Sequence, residues 1–181
     1  MLLEIYSECV TKESRQKRLY CLSIELLDMI SKKTKYAFRA LIHLAGTPSG
    51  QPVMISDLAK SESIPNKFLA FILLSLRKGG LLNSRIGKGG GYSLALPADK
   101  ITVGSIIRIL EGDIAPVSCL STTNYARCEE CRGEATCGIR LAMIDVNLSL
   151  STVLDRLTLA DMVGRSHHER VRIGNVVDYH I

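Results

Sequence analysis

Apolar residues recur through the middle of the chain at helical spacing, and the recurrences break at residues that end helices. Over 34–45, TKYAFRALIHLA, the positions Tyr36, Ala37, Ala40, Leu41 and Leu44 share one face, the pattern of a helix packed on a core. The GTPSGQP stretch from Gly46 to Pro52 then stops it. A second, short helix is predicted over 55–60 with Leu58 and Ala59 inward, followed by a turn over 61–64. Pro65 suits the start of a third helix, because its fixed φ is helical and its missing N–H is not needed there. That helix runs through NKFLAFILLSLRK to the Gly79-Gly80 pair. It is so apolar, with Phe68, Ala70, Phe71 and Leu74 added to Leu69, Ile72, Leu73 and Leu76, that much of it is expected in the core.

Beyond residue 80 the pattern changes to two short strands, 81–86 and 92–96, around Gly87-Lys88-Gly89-Gly90-Gly91. Glycine at this tip permits close backbone approach to a partner. A phosphate-cradling nucleotide loop is disfavoured, because no Lys-Ser or Lys-Thr pair closes the glycine run and no helix follows it. Another helix is predicted over 102–111, burying Val103, Ile106, Ile107 and Leu110 and ending at Gly112. Farther on, Ile139, Met143, Val146, Leu150, Val153 and Leu157 recur at alternating spacings of four and three, a coiled-coil seam. A helix of about nineteen residues is roughly 28 Å long, more than a small reader unit needs to cover itself, so the seam predicts a homodimer. Thr158 with Asp161 reads as the cap of a short helix over 159–163.

The expected fold class is therefore mainly α with a small β-hairpin, a winged helix-turn-helix unit plus a long dimerisation helix. The expected organisation is an N-terminal extension or upstream start over 1–28, the winged unit over 29–100, a cysteine loop and dimerisation helix over 101–163, and a tail over 164–181.

Composition narrows the class. The chain has 181 residues, 46% of them apolar and 23% charged, and no apolar run reaches the roughly 18 residues of a membrane span. With no secretory pattern at the start, a cytoplasmic location without a membrane partner is expected. The charge is uneven: residues 29–100 hold eleven Lys and Arg against Asp57, Glu62 and Asp99, a balance of +8, while 101–181 balance at −2 and 1–28 at −1. Concentrated positive charge suits a polyanion, since each neutralised phosphate releases counterions. In a winged helix-turn-helix the third helix enters the major groove. Asn66 and Lys67 at its start are the expected base or phosphate contacts, Arg77 and Lys78 stand near its end, and Arg85 and Lys88 belong to the wing. Such a homodimer presents two recognition helices to a palindromic double-stranded operator. No acid, base and nucleophile form a catalytic constellation, so no enzyme is expected.

Cys119, Cys128, Cys131 and Cys137 fall within nineteen residues, with gaps of eight, two and five. Thiolates are soft ligands for iron–sulfur clusters or zinc, and cysteines in a chain without an export signal suit metal or redox work better than structural disulfides. Ligand softness and spacing favour a cluster, of two or four irons, over a structural zinc site or a thiol redox switch. Zinc is the weaker fit because Cys128 and Cys131 lack a matching second pair. A metal-stabilised dimeric module that binds a protein partner is the alternative from another class.

The stretch from Ser31 to Val163 resembles the iron–sulfur winged-helix transcription regulators of bacteria, the group containing IscR, NsrR, RirA and CymR. The resemblance rests on KYAFRALIHLA, ISDLA, LRKGGLL, GKGGGYSLA, ITVGSIIRILEG, APVSCL and TLADMV, in the family's order. It implies a homodimeric DNA-binding regulator and, in cluster-binding members, three loop cysteines plus a varying fourth ligand. On that resemblance Cys119 matches the first loop cysteine, and Cys131 and Cys137 the closing pair. One branch has a fourth-ligand histidine where this chain has Arg140, and another has an acidic residue where it has Lys35. Neither can ligate, and Cys128 is the simplest replacement.

Overall fold

Helix α1, Lys32–Gly46, begins where the Ser31 hydroxyl accepts the Thr34 N–H at 3.3 Å, satisfying a donor the first helical turn leaves without a partner. A computed structural model describes residues 30–48, 51–87 and 89–177. The expected extension over 1–28 and the wing residue Lys88 lie outside the described residues. Helix α2, Ile55–Ser61, and helix α3, Asn66–Lys78, follow in helix-turn-helix order, with Pro65 at the N-cap of α3. Strands β1, Leu82–Arg85, and β2, Gly91–Leu94, pair antiparallel with Leu82 opposite Leu94 and Arg85 opposite Gly91. Val53 adds a bridge to Tyr92 through two backbone hydrogen bonds of 2.9 Å. Gly91 makes that approach possible: it has φ +149°, and a Cβ there would lie 2.2 Å from the Val53 carbonyl oxygen.

Helix α4, Val103–Glu111, is capped by the Thr102 hydroxyl, which accepts the Ser105 N–H at 3.1 Å. It turns inward the four residues its periodicity selects, Val103, Ile106, Ile107 and Leu110. They join Ala37, Leu41, Leu58, Leu69, Ile72 and Leu76 in one core. Helix α5, Gly138–Arg156, leads into helix α6, Leu159–Val177. The start of α6 carries the expected reciprocal cap: Asp161 Oδ2 accepts from the Thr158 N–H at 2.9 Å, and Thr158 Oγ1 accepts from the Asp161 N–H at 3.1 Å. Among the described residues no helix is long and apolar enough to cross a membrane.

Two expectations change, and one feature is added. The short helix over 159–163 instead continues to Val177. Gly164 and Gly174 each cost only about 1 kcal/mol relative to alanine, no proline follows, and the Glu169–Arg172 ion pair at 2.8 Å supports the extension. Second, α3 is not buried all round: Leu69, Ile72, Leu73 and Leu76 are buried, whereas Phe68, Phe71 and Leu74 are exposed. Its core face is filled by one stripe. Third, α5 has no buried residue, and it carries a second apolar stripe, Leu141, Ile144 and Leu148, on the side opposite the seam.

Three long-range hydrogen bonds join the end of α4 to the start of α1. The Glu111 carboxylate accepts hydrogen bonds from the Ser31 hydroxyl and, at 2.5 Å, from Thr34 Oγ1, and the Lys33 ammonium donates to the Leu110 carbonyl. Thr34 is fully buried, and its hydroxyl finds a hydrogen-bond partner in Glu111. Burial pushes the Glu111 carboxyl up, but the two hydroxyls and Lys33 outweigh it and leave the group below its ordinary value. A carboxyl lowered on folding stabilises the native state above its unfolded value, about 4.5 here, and loses that contribution as pH falls through the folded value. Glu111→Gln is therefore expected to cost about 1 kcal/mol at neutral pH. In a thermal-unfolding series its gap from the parent should narrow as pH drops below 4.5.

Candidate nucleic-acid interface and cysteine site

Helix α3 is held at its start and its end. Near its start, the Phe68 ring meets Tyr36 of α1 edge-to-face, with centroids 5.8 Å apart. The preceding turn is fixed by Glu62, whose carboxylate pairs with Arg39 at 3.4 Å and with His43 Nδ1 at 3.0 Å, both from α1. At the far end, Arg77 Nη1 donates to Ser84 Oγ of β1 at 2.9 Å and ties α3 to the wing.

The expected DNA contacts consequently fall into two groups. Asn66 and Lys67 are exposed at the start of α3, while Lys78 and Arg77 are exposed at its end, roughly 18 Å along the axis. Arg85 is exposed at the last residue of β1. The second group belongs with the wing rather than with the first helical turn. Between the two groups stand Phe71 and Leu74, whose exposure the apolar count alone did not reveal.

The loop between Gly112 and α5 gathers all four cysteines. Cys119 follows from the one-turn 3-10 helix Ser118–Leu120, Cys128 and Cys131 share a turn closed by the Cys131 N–H to the Cys128 carbonyl at 3.2 Å, and Cys137 is the N-cap of α5. All four are free thiols, and all four line one cavity of about 830 Å³. Among the described residues no three His, Cys, Asp or Glu side chains converge closely enough to hold a metal ion. The loop thus surrounds a common space without closing on a point.

The donor chemistry of this cavity fits a soft, anionic group. Four thiols face a space also lined by Arg132, Arg140 and Glu130, two cations against one carboxylate. Arg127 donates to the Cys131 carbonyl at 2.9 Å, and the Cys131 thiol beside it raises its guanidinium further above its ordinary value. Local desolvation pushes the Cys128 thiol up, and the neighbouring Cys131 adds to this. Arg140 sits at the cavity wall with Glu134 at 3.8 Å. It offers positive charge and N–H donors, not a ligand.

The start of the loop is clamped. Asp113 accepts from the Thr122 N–H, from Ser121 Oγ at 2.9 Å, from Thr122 Oγ1 at 3.0 Å and from Thr123 Oγ1 at 2.5 Å. These bonds hold its carboxyl well below the usual range, with Thr123 the largest cause. Ser118 and Ala126 close a second ring through hydrogen bonds of 3.0 and 3.3 Å. Gly112, with φ +92°, makes the bend between Glu111 and Asp113. One carboxylate of this pair is bonded to α1 and the other to the cysteine loop. No periodicity or spacing announces either contact.

At the other end of α5, Arg108 and Asp155 form a bidentate pair at 2.5 and 3.0 Å. The Val103 N–H donates to the Leu157 carbonyl at 2.8 Å, and the Leu159 N–H donates to the Ile101 carbonyl at 2.8 Å. The last turn of α5 is therefore attached to α4 and the segment that precedes it.

Residues 30–165 match the profile of a family described as Rrf2, iron-dependent transcriptional regulator. An rrf2-like HTH-type transcriptional regulator of Rhodobacter capsulatus is 40% identical over 138 residues, 75% of this chain and 92% of the relative. Among solved structures, CymR, the global cysteine regulator of Bacillus subtilis, superposes with a TM-score of 0.61 at 32% identity, covering 75% of this chain and 96% of that one. IscR of T. potens superposes with a TM-score of 0.58 at 30% identity, covering 76% and 87%.

Proposed function

This chain belongs to the Rrf2 family of transcriptional regulators, and from that premise we propose that it binds a palindromic operator as a homodimer, under control of an iron–sulfur cluster held by Cys119, Cys128, Cys131 and Cys137. The observation that carries the reading is the convergence of all four thiols on one cavity at the α4–α5 junction. Bound there, a cluster supplies electron transfer and reactivity toward oxygen or nitric oxide. The chain's own part is mechanical. The loop spans the distance from Gly112 to the N-cap of α5, so drawing the four cysteines together orders the segment that sets one end of the dimer helix. Asp113 fixes the start of that segment, and Glu111 carries its position to α1 and so to the reading helix. Asn66 and Lys67 take the groove, and Arg77, Lys78, Arg85 and Lys88 take the backbone around the wing.

Homodimerisation is supported by α5, which exposes large apolar side chains along its whole length, with Ile139 at 70% and Val153 at 61%. A contiguous apolar surface of this kind marks an interaction site. A structural zinc site is the competing reading, favoured by the tight Cys128–Cys131 turn.

The test is operator selection from genomic fragments with iron-supplied, anaerobic protein. One defined inverted repeat should be enriched, and its affinity should shift at least about tenfold when nitric oxide or oxygen bleaches the protein. Enrichment of no sequence would favour the protein-interaction module. Colourless anaerobic protein with stoichiometric zinc would replace the cluster by zinc.

A further inference from the structure

We propose that Phe71 reads thymine methyl groups in the major groove, making it a specificity-determining residue of α3; this rests on the operator-binding reading above. The buried stripe Leu69, Ile72, Leu73 and Leu76 occupies the core face of α3. On the outer face Lys67, Phe71, Leu74 and Lys78 follow at spacings of four, three and four, which places them along one line of the helix surface. Phe71 is 61% exposed, against 36% for Leu74. The aromatic ring therefore stands in solvent between two cations, on a helix that contains no acidic residue.

The surroundings specify the occupant. A second protein copy seated here would bring two cationic faces together, which like-charge repulsion opposes. A duplex satisfies both demands, because its phosphates suit Lys67 and Lys78 while the thymine 5-methyl is the apolar feature the major groove offers to a side chain such as phenylalanine. Phe71 is also the sixth residue of α3, within the N-terminal part that reaches base edges in this docking. The ring lies outside the buried stripe of α3, and its exposed face is available for recognition.

The experiment starts from operators selected by the full-length protein and replaces thymine by uracil one position at a time. That change removes one methyl and preserves every hydrogen bond. At one thymine in each half-site the parent protein should lose about fourfold in affinity, the worth of one buried methyl group. Phe71→Ala should bind the thymine and uracil operators alike while keeping the parent's salt dependence, since its phosphate contacts are intact. A parent protein indifferent to uracil at every position overturns the proposal, even if Phe71→Ala fails to fold. An undiminished uracil penalty in a folded Phe71→Ala protein overturns it as well. If no sequence is selected at all, the operator-binding reading falls and this one with it, an outcome distinct from selection without a methyl effect.

Discussion

Serine at Cys119, Cys131 or Cys137 is expected to abolish the visible absorbance of iron-supplied, anaerobically purified protein and to bring its iron content to background. The hydroxyl is a hard and essentially un-ionised donor at neutral pH, whereas the thiolate is the soft ligand that iron–sulfur clusters use. Each of these sulfurs comes from a different part of the loop: the one-turn helix at Ser118–Leu120, the Cys128–Cys131 turn, and the N-cap of α5. Removing one cannot be repaired by sliding a neighbour into its place. Cys128→Ser is the decisive variant, because Arg140 stands where a histidine would otherwise be the fourth ligand. Its absorbance and iron content should fall with the others. Full colour, stable over the same hours as the parent, would put the fourth ligand outside the cysteine set.

Val146→Asp combined with Val153→Asp is expected to convert the protein to a monomer by sedimentation and to weaken operator binding on the order of 100-fold or more, as two unpaired charges oppose burial of the interface. The isolated chain should tolerate the change, since both side chains are about half-exposed or more and α5 contributes no buried residue of its own. Its thermal midpoint should therefore move little at a concentration where the parent is already dissociated. A variant that remains dimeric would assign the interface to Leu141, Ile144 and Leu148 instead.

The local architecture was largely legible because it is written in short-range chemistry. Thr102, Pro65 and the Thr158–Asp161 pair mark helix starts, Gly112 marks a stop, and the inward residues of α4 follow directly from a period of 3.6. The crowding of Cys119 through Cys137 pointed to one stretch of chain, and the four thiols line one cavity there. Three things did not show. An apolar helix such as α3 has more apolar residues than its core face can take, and counting cannot say which of them stay outside. The extension of α6 past Gly164 turns on the absence of a strong breaker rather than the presence of a strong period. The bonds of Glu111 to Ser31 and Thr34, and of Asp113 to residues 121–123, depend on how distant pieces of chain are brought together.

Leu159 is fully buried in the same core as α1 and α3, and its backbone pairs with Ile101. On the ribosome it is made only after the cysteine loop and α5 have been polymerised. A nascent chain that has reached only the wing still lacks a residue of its own interior, so the winged unit completes its packing after the cysteine loop and α5 exist. Premature termination within the loop then yields a fragment whose core is incomplete.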